Sequence, residues 1–239
     1  MMKIIIIGAT TGIGKALAEL YISQGHEVTV TGRRTELLGE IQRLYPDKKI
    51  HTSAMDVADI DNARRIIQDL ADKNGGFDKV IINAGVGFGK ASFEEEIKTI
   101  DINVRGFVAI AQWAYQYFKS KGGGHIIGIS SLAALKGSAY APEYHASKAF
   151  ISNYMQGLRL RSAKYIHHIP ITDIRPGFVD TEMTKQNKGM FWVATPEKAA
   201  QQIADAIEAK KNVAYITKRY FLLAILMKLS PEWVFKKIF

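Results

Sequence analysis

The chain has 239 residues, 47% of them hydrophobic, and this length predicts one large domain with an ample buried core. It contains no cysteine, which excludes disulfides and thiolate metal sites, and its mean hydropathy of -0.04 predicts a soluble globular protein. The formal charge of +9 suits nucleic acid, an anionic membrane face or a phosphorylated cofactor as partner, and equally a basic surface with no special role.

Four isoleucines at residues 4–7 predict a strand buried on both faces of a parallel sheet, and their run is too short for a signal peptide. Gly8, Gly12 and Gly14 follow, and a helix continues from Lys15. A glycine-rich turn between strand and helix lets backbone N–H groups approach a pyrophosphate at the positive helix end. The spacing Gly-x-x-x-Gly-x-Gly matches neither the stricter dinucleotide fingerprint nor a P-loop, so a tight turn without a ligand is the alternative.

A basic pair, Arg33 and Arg34, comes just after a second predicted strand over residues 27–31. An acidic residue there would bind a ribose diol, whereas arginine suits a 2′-phosphate. The pair therefore favours NADP(H) over NAD(H), with a solvated basic strand end as the alternative.

Two elements follow, a helix over residues 35–45 that Pro46 ends and a strand over residues 49–53. Asp56 and Val57 come next, where a carboxylate could meet an adenine amino group. An Asx turn or a cap on the next helix, over residues 59–73, is an equal alternative.

Small and polar residues end the fourth predicted strand, which covers residues 79–82. Asn83, Ala84 and Gly85 stand where α/β sheets hold ligands, with a plain turn as the alternative. A long helix over residues 92–119 then contains Asn103. Asparagine is unfavourable inside a helix, which indicates either satisfied packing or a polar group positioned at a local distortion.

A tyrosine and a lysine, Tyr144 and Lys148, share one face of a helix predicted from Pro142 to residue 164. An ammonium beside a phenol favours the phenolate. Lowering a tyrosine pKa from about 10 to about 7 takes roughly 4 kcal/mol, more than one lysine supplies in water, so a second positive charge is expected nearby.

The same spacing occurs in three other pairs, and only Tyr144 has a serine, Ser131, at the end of a preceding strand (residues 125–129). At the same distance before the other tyrosines stand Gly32, Ile102 and Val104. The three pairs are Tyr45/Lys49, expected in a loop, and Tyr115/Lys119 and Tyr117/Lys121, expected at the surface or in a subunit contact.

In this order the motifs resemble the short-chain dehydrogenase/reductase family, over nearly the whole chain. They are Gly8-x-x-x-Gly12-x-Gly14, Asn83-Ala84-Gly85, Asn103, Ser131, Tyr144-x-x-x-Lys148 and Pro176-Gly177. The resemblance implies an α/β fold, a Rossmann-type doubly wound sheet of seven parallel strands with helices on both faces, as a single domain over residues 1–239. It also implies catalysis by Ser131, Tyr144 and Lys148 assisted by Asn103, and homodimers or homotetramers built through the helices that hold Asn103 and Tyr144. Ile7 and Ile82 depart from the family pattern, where many members have threonine and asparagine.

The residues and the resemblance together give one set of predicted cofactor contacts, in which Val179 and Thr181 hold the nicotinamide carboxamide. The set is Gly8, Thr10, Thr11, Gly12, Ile13, Gly14, Arg33, Arg34, Asp56, Val57, Asn83, Ala84, Gly85, Tyr144, Lys148, Pro176, Gly177, Val179 and Thr181.

The last third of the chain predicts a strand over residues 169–174, a helix over 195–211 and a strand over 213–217. Residues 182–194 are the expected substrate loop. Its residues, apolar and basic together, are Met183, Lys185, Lys188, Met190, Phe191 and Trp192, and they indicate an apolar substrate with an acidic head. The tail, residues 218–239, combines an apolar helix with a short helix from Ser230. We expect it to pack on a sister subunit or over the substrate cleft, or to lie in an anionic membrane surface.

These observations predict a cytoplasmic NADPH-dependent enzyme that reduces a small-molecule carbonyl to an alcohol, or runs the reverse reaction. A non-catalytic NADP(H)-binding regulator on the same fold is the alternative. The six histidines show no metal-ligand spacing, so no metal is expected. No aromatic-interleaved basic stripe indicates nucleic acid.

Overall fold

Seven parallel strands form one sheet in the computed structural model, which describes residues 1–165, 168–185, 187 and 189–231. The strands are β1 (Lys3–Ile7), β2 (Glu27–Gly32), β3 (Ile50–Ala54), β4 (Lys79–Ile82), β5 (His125–Ile129), β6 (Ile171–Pro176) and β7 (Val213–Ile216). Their spatial order is β3-β2-β1-β4-β5-β6-β7. The Rossmann-type prediction is confirmed. The winding reverses between β1 and β4, and the ligand crevice of such sheets lies at the carboxyl ends of these strands.

The described helices cover both faces of the sheet. They are α1 (Gly12–Ser23), α2 (Thr35–Leu44), α3 (Ile60–Lys73), α4 (Phe93–Ile100), α5 (Phe107–Lys121), α6 (Pro142–Ser162), α7 (Pro196–Glu208) and α8 (Tyr220–Leu229). A π-helical segment, Asp101–Gly106, joins α4 to α5, and a 3-10 turn, Leu132–Leu135, follows β5. None of the described helices is long and apolar enough to cross a membrane.

Strand β1 is buried on both faces, which explains why residues 4–7 are all isoleucine. Side chains alternate between the two faces of a strand, so Ile4 and Ile6 enter one hydrophobic cluster and Ile5 and Ile7 enter the other. The first cluster lies under α1, α2 and α7, and the second under α3, α5 and α6. Both faces of the sheet are therefore buried, which leaves its carboxyl edge to carry a site.

Three predicted boundaries are corrected by local chemistry. The helix predicted over residues 92–119 is interrupted by the π-helical segment. Strand β6 begins after Pro170, which has no N–H to donate to the ladder. Helix α7 ends at Glu208 because Lys210 has a φ of 47°, outside the helical region.

The second helix predicted in the tail, from Ser230 onward, falls mostly on residues 232–239, which lie outside the described part of the chain. Lys188 of the predicted substrate loop also lies outside it.

Candidate active site

The glycine turn between β1 and α1 is shaped by close backbone contacts that only glycine permits. Gly8 has a φ of 84°, and a Cβ there would lie 2.6 Å from the Ala84 Cα. A Cβ at Gly14 would collide with the Gly8 carbonyl oxygen, which accepts a 2.6 Å hydrogen bond from the Asn83 side-chain amide. The predicted motifs around Gly8 and Asn83 therefore meet at one point on the sheet edge.

The first turn of α1 is the anion-binding feature of this edge. Its N-cap, Thr11, makes no hydrogen bond from its side chain to the first turn, so no side-chain cap occupies these backbone donors within the described structure. Gly12 adopts a φ of 57° and Ile13 is only partly buried. Free N–H groups at a helix N-terminus can bind a pyrophosphate. The first turn of α1 offers such groups, and no side-chain cap from the described residues competes for them.

Arg34 lies beside the glycine turn. Its guanidinium donates to the hydroxyls of Thr10 and Thr11 at 3.1 and 2.8 Å, and pairs with Glu182 at 3.2 Å. Arg33 is exposed, with no ion pair to another described residue. A phosphate on the adenosine ribose would therefore meet the Arg34 guanidinium, which hydrogen bonds fix in place, and the Arg33 guanidinium, which is exposed to solvent.

Asp56 forms an Asx turn, which the sequence predicted as an alternative to contact with an adenine amino group. Its Oδ1 accepts a 3.0 Å hydrogen bond from the Ala58 N–H, which is an Asx turn. Asp59, not Asp56, caps α3 through the Asn62 N–H. Val57 is buried, and its carbonyl oxygen lies against Gly106. The carboxylate of Asp56 keeps a second oxygen for a ligand.

Asn103 lies at the local distortion that its place in a helix indicated. The π-helical segment carries it inward, where it is fully buried. Its Oδ1 accepts from the Val86 N–H at 2.8 Å, and its Nδ2 donates to the Val86 carbonyl at 2.7 Å and to Ser147 Oγ at 3.0 Å. Asn103 thus joins the loop after β4 to helix α6.

Ser131 and Tyr144 meet, as the pairing of a strand end with a helix face predicted. Ser131 follows β5, and its hydroxyl hydrogen-bonds the Tyr144 phenol. Burial raises the pKa of Tyr144, and the hydrogen bond from Ser131 only partly opposes this. The chain by itself therefore holds Tyr144 as a neutral phenol, and Lys148 does not outweigh the loss of water.

Lys148 is buried beside this phenol. Its Nζ lies 5.6 Å from the centre of the Tyr144 ring and donates to the Ile129 carbonyl at 3.1 Å. Burial lowers the pKa of Lys148 to about 8, against a smaller opposing effect of the Asp173 carboxylate. A Cβ at Gly85 would lie 3.2 Å from Asn103 Oδ1 and 3.3 Å from Lys148 Nζ, so the two side chains converge there.

Behind Lys148 lies a buried polar network that the sequence interpretation missed. Asp173 is fully buried and accepts from Ser130 at 2.5 Å, from Ser152 at 2.7 Å and from Arg175 Nε at 2.8 Å. Ser130 precedes Ser131, and Ser152 lies one helical turn after Lys148, so the carboxylate ties the end of β5 to helix α6. An aspartate and an arginine alternating in a buried strand were the signal in the sequence.

The segment after β6 closes the other side of the crevice. Gly177 N–H donates to the Ile216 carbonyl at 2.6 Å, directly after Pro176, and Val179 pairs with Ala194 as a parallel bridge. A Cβ at Gly12 would lie 3.0 Å from the Thr181 methyl group, which places Thr181 against the glycine turn. All the predicted cofactor segments thus lie on one edge of the sheet.

The predicted substrate loop packs on the start of α8 through aromatic rings. Phe191 lies 5.5 Å from Phe178, and Trp192 lies 5.6 Å from Tyr220, measured between ring centres. The Tyr220 hydroxyl donates to the Phe191 carbonyl at 2.6 Å and accepts from the Phe178 N–H at 3.2 Å. Helix α8, in the described part of the tail, contacts the 3-10 turn after Ser131, and its packing over the substrate cleft stays a prediction.

The fold and this site are those of an NAD(P)-dependent oxidoreductase, and comparison with known proteins gives the family. The chain belongs to the short-chain dehydrogenases, since the family profile described as short chain dehydrogenase matches residues 2–190. An oxidoreductase of Mycobacterium tuberculosis is 30% identical over 223 residues, 90% of this chain and 87% of the relative.

Two further relatives are similar over most of their length. The NADP-dependent 3-hydroxy acid dehydrogenase of Escherichia coli is 32% identical over 183 residues, 74% of this chain and 73% of that protein. The closed form of serine dehydrogenase complexed with NADP+ superposes with a TM-score of 0.77 at 27% identity, covering 90% of this chain and 94% of that one.

Proposed function

We propose that this short-chain dehydrogenase reduces a carbonyl to an alcohol with NADPH, or runs the reverse reaction, through Asn103, Ser131, Tyr144 and Lys148. The observation that carries the proposal is the hydrogen-bonded Ser131–Tyr144 pair with a buried ammonium 5.6 Å from the phenol ring. A tyrosine and a lysine on a protein surface normally stay hydrated. Desolvation of both side chains, with a shifted pKa for each, is typical of a functional site.

Tyr144 is the acid of the reduction. Its raised pKa keeps the phenol protonated at neutral pH, so it can give its proton to the carbonyl oxygen. Ser131 donates a hydrogen bond toward the same oxygen. A nicotinamide cofactor held at this edge of the sheet would supply the hydride for the carbonyl carbon. Lys148, an ammonium below its pKa of about 8, stabilises the phenolate that remains.

Asn103 acts as a positioning residue. Both N–H groups of its amide are used by Val86 and Ser147, which fixes the loop beside Gly85 and the helix that carries Tyr144. The remaining lone pair of its Oδ1 is the place for the predicted water that returns a proton to the site.

The cofactor is NADP(H) in preference to NAD(H), with Arg33 and Arg34 as its 2′-phosphate ligands. Arg34 is already oriented by Thr10 and Thr11, and the E. coli 3-hydroxy acid dehydrogenase is NADP-dependent by name. Replacing both arginines by alanine should weaken NADPH binding by about tenfold to a hundredfold and leave NADH binding unchanged, since bonds to a charged group are lost. Calorimetric titration with both cofactors measures this, and equal loss for both would reject the assignment.

The substrate is an apolar carbonyl compound. The loop contributes the rings of Phe191 and Trp192, of which Phe191 packs on Phe178, and Lys185 is exposed on it as a partner for an acidic head. A 3-oxo acid is one member of this class, which matches the E. coli relative named as a 3-hydroxy acid dehydrogenase.

A single domain over residues 1–239, a cytoplasmic location and a homodimer or homotetramer complete the proposal. Exposed apolar side chains on the helices beside the site support the oligomer: Phe93 and Ile97 on α4, and Phe150 and Leu160 on α6. These helices carry the residues next to Asn103 and Tyr144, as the resemblance implies.

The test is NADPH oxidation against a panel of ketones, aldehydes and 3-oxo acids, followed by Tyr144→Phe with the best substrate. We expect the variant to lose at least about a hundredfold in kcat, the share of a general acid, and to bind NADPH as the parent does. A Tyr144→Phe enzyme that keeps its kcat would reject the mechanism. Tight NADPH binding without turnover of any panel member would favour the non-catalytic regulator.

A further inference from the structure

Helix α8 carries an exposed apolar face that the oxidoreductase chemistry does not use. Tyr220 and Ala224 face the protein and are buried. The side chains on the other side are apolar and 41–78% exposed: Phe221, Leu222, Ile225, Leu226 and Leu229. Their spacing places them along one stripe of the helix. We call this stripe the α8 face, and a contiguous apolar surface of this kind indicates a binding partner.

The α8 face is held firmly to the protein and continues into the substrate loop. Tyr220 is hydrogen-bonded to Phe178 and Phe191, and a Cβ at Gly177 would collide with its ring. Trp192, 43% exposed, lies next to the Tyr220 ring and under the Arg219 guanidinium at 5.3 Å. The apolar surface therefore extends from α8 to the rim of the candidate active site.

Positive charges border the α8 face. Residues 218–231 contain three lysines and arginines and no aspartate or glutamate. Lys218 and Arg219 lie at the start of α8 and Lys228 near its end, all exposed. A groove of about 290 Å³ beside the helix start is lined by Lys198, Gln202, Thr217, Lys218 and Arg219. Three cations and no carboxylate line this groove, as far as the described residues go, and a phosphate group matches that charge.

We propose that the α8 face docks on an anionic phospholipid surface, with lipid phosphates taken by Lys198, Lys218 and Arg219. A second copy of the chain fits less well, because a twofold contact would bring the same cations face to face. An anionic bilayer offers apolar depth and negative charge together, and each basic residue near it adds about fivefold in affinity.

The geometry suits a helix that lies in the interface. Helix α8 has ten residues, a length of about 15 Å, which is half of what a spanning helix needs. By sequence, residues 232–239 add one glutamate, two lysines and five apolar residues, so a net basic and apolar composition continues after α8.

The first experiment is flotation of the full chain with phosphatidylcholine vesicles, with and without phosphatidylglycerol. We expect binding only when phosphatidylglycerol is present. The variant Leu222→Ser/Leu226→Ser should lose about tenfold or more in affinity, since it removes two leucines from the face. The control, Leu44→Ser, changes a leucine that is 62% exposed on α2, away from both the α8 face and the proposed oligomer contact, and should bind as the parent does.

A second pair of variants tests the charges. Lys218→Gln/Lys228→Gln should weaken binding by about 25-fold, from about fivefold per charge, and Lys210→Gln/Lys211→Gln, at the other end of β7, should weaken it far less. Equal flotation of both leucine variants, or of both lysine variants, would overturn the proposal. So would a parent that binds no vesicle but whose oligomer dissociates on Leu222→Ser/Leu226→Ser, which would assign the face to a second copy.

The vesicle test is independent of the proposed chemistry. Tyr144→Phe should float with phosphatidylglycerol vesicles as the parent does, and the leucine variant should still oxidise NADPH with a water-soluble carbonyl. Absence of turnover in the parent with every carbonyl would therefore count against the proposed function, whereas a parent that does not float with phosphatidylglycerol vesicles would count against docking.

Discussion

Helices α5 and α6 carry the same Tyr-x-x-x-Lys pattern and give it nearly the same local geometry. Lys121 Nζ lies 5.3 Å from the centre of the Tyr117 ring, and Lys148 Nζ lies 5.6 Å from the centre of the Tyr144 ring. Helical spacing alone therefore places an ammonium over a phenol in both helices.

The surroundings of the two pairs differ completely. Lys121 is exposed, and the Tyr117 hydroxyl accepts a 3.1 Å hydrogen bond from the Phe77 N–H. Lys148 is only 5% exposed, and the Tyr144 hydroxyl meets Ser131. The spacing places the lysine beside the tyrosine in both helices, whereas burial and a serine at a strand end distinguish the pair in α6.

In the third helical pair, Tyr115/Lys119, the lysine does not lie over the tyrosine ring, and the predicted surface position of Tyr115 is wrong. Tyr115 is 1% exposed, not at the surface as expected, because α5 turns it into the core. Lys119 lies instead over the Tyr165 ring, at 4.5 Å. An i, i+4 pattern thus permits a contact without requiring it.

The largest expected effect comes from removing the ammonium in each helix in turn. Lys148→Met should lower kcat by about a hundredfold to a thousandfold, the usual cost of losing one electrostatic stabiliser of the transition state. Lys121→Met removes the same group from the same spacing and should leave kcat within about twofold, as surface changes do. Steady-state kinetics on the purified variants decides this, and equal losses would mean that spacing matters more than surroundings.

The second largest effect is expected from Asn103, because no buried asparagine stands beside Tyr117 in the same way among the described residues. Asn103→Ala would leave the buried Val86 N–H and C=O groups without their partners, so the free energy of unfolding should fall by about 2–4 kcal/mol. Urea titration measures it. Asn153→Ala, on the exposed side of α6, should raise stability slightly because alanine favours helix. A stable Asn103→Ala would contradict the positioning role.

Local patterns predicted most of the fold. All seven strands lie within two residues of their predicted bounds, because runs such as residues 4–7 and 79–82 are apolar enough to require burial on both faces. The glycine turn and the residues at the carboxyl ends of the strands were found for the same reason: parallel strands bring their ends to one edge. Asn103 was found because it is unfavourable in a helix.

Contacts between distant segments left no such pattern. The pairing of Arg34 with Glu182 spans 148 positions, and the network around Asp173 joins β5, β6 and α6. Sequence periodicity reports which face a residue occupies and not which residue it meets there. For the same reason the two hydrogen bonds of the Tyr220 hydroxyl, one accepted from the Phe178 N–H and one donated to the Phe191 carbonyl, could not be predicted.

The third prediction concerns the pH dependence that burial gives to Lys148. Its pKa is about 8 in the folded chain and 10.5 as an ordinary lysine. Between these values the unfolded chain binds more protons, so stability relative to Lys148→Met should rise with pH, by up to about 1.4 kcal/mol per unit. Below pH 8 the difference should be flat. Urea titrations of both proteins from pH 7 to 10 check it, and a difference that falls with pH would contradict the buried ammonium.

The smallest effect completes the comparison of the two helices. Tyr117→Phe removes the acceptor of the Phe77 N–H, a buried group, and keeps the ring that stacks on Trp113 at 4.8 Å. We expect a loss of about 1–2 kcal/mol in the free energy of unfolding and no change in kcat. Tyr144→Phe should show the reverse, because it removes the hydroxyl of the proposed acid and keeps the ring packing. Urea titration measures the free energy of unfolding of both variants, and steady-state kinetics measures their kcat. A Tyr117→Phe variant with lower kcat and full stability would mean that the tyrosine in α5, too, takes part in the chemistry.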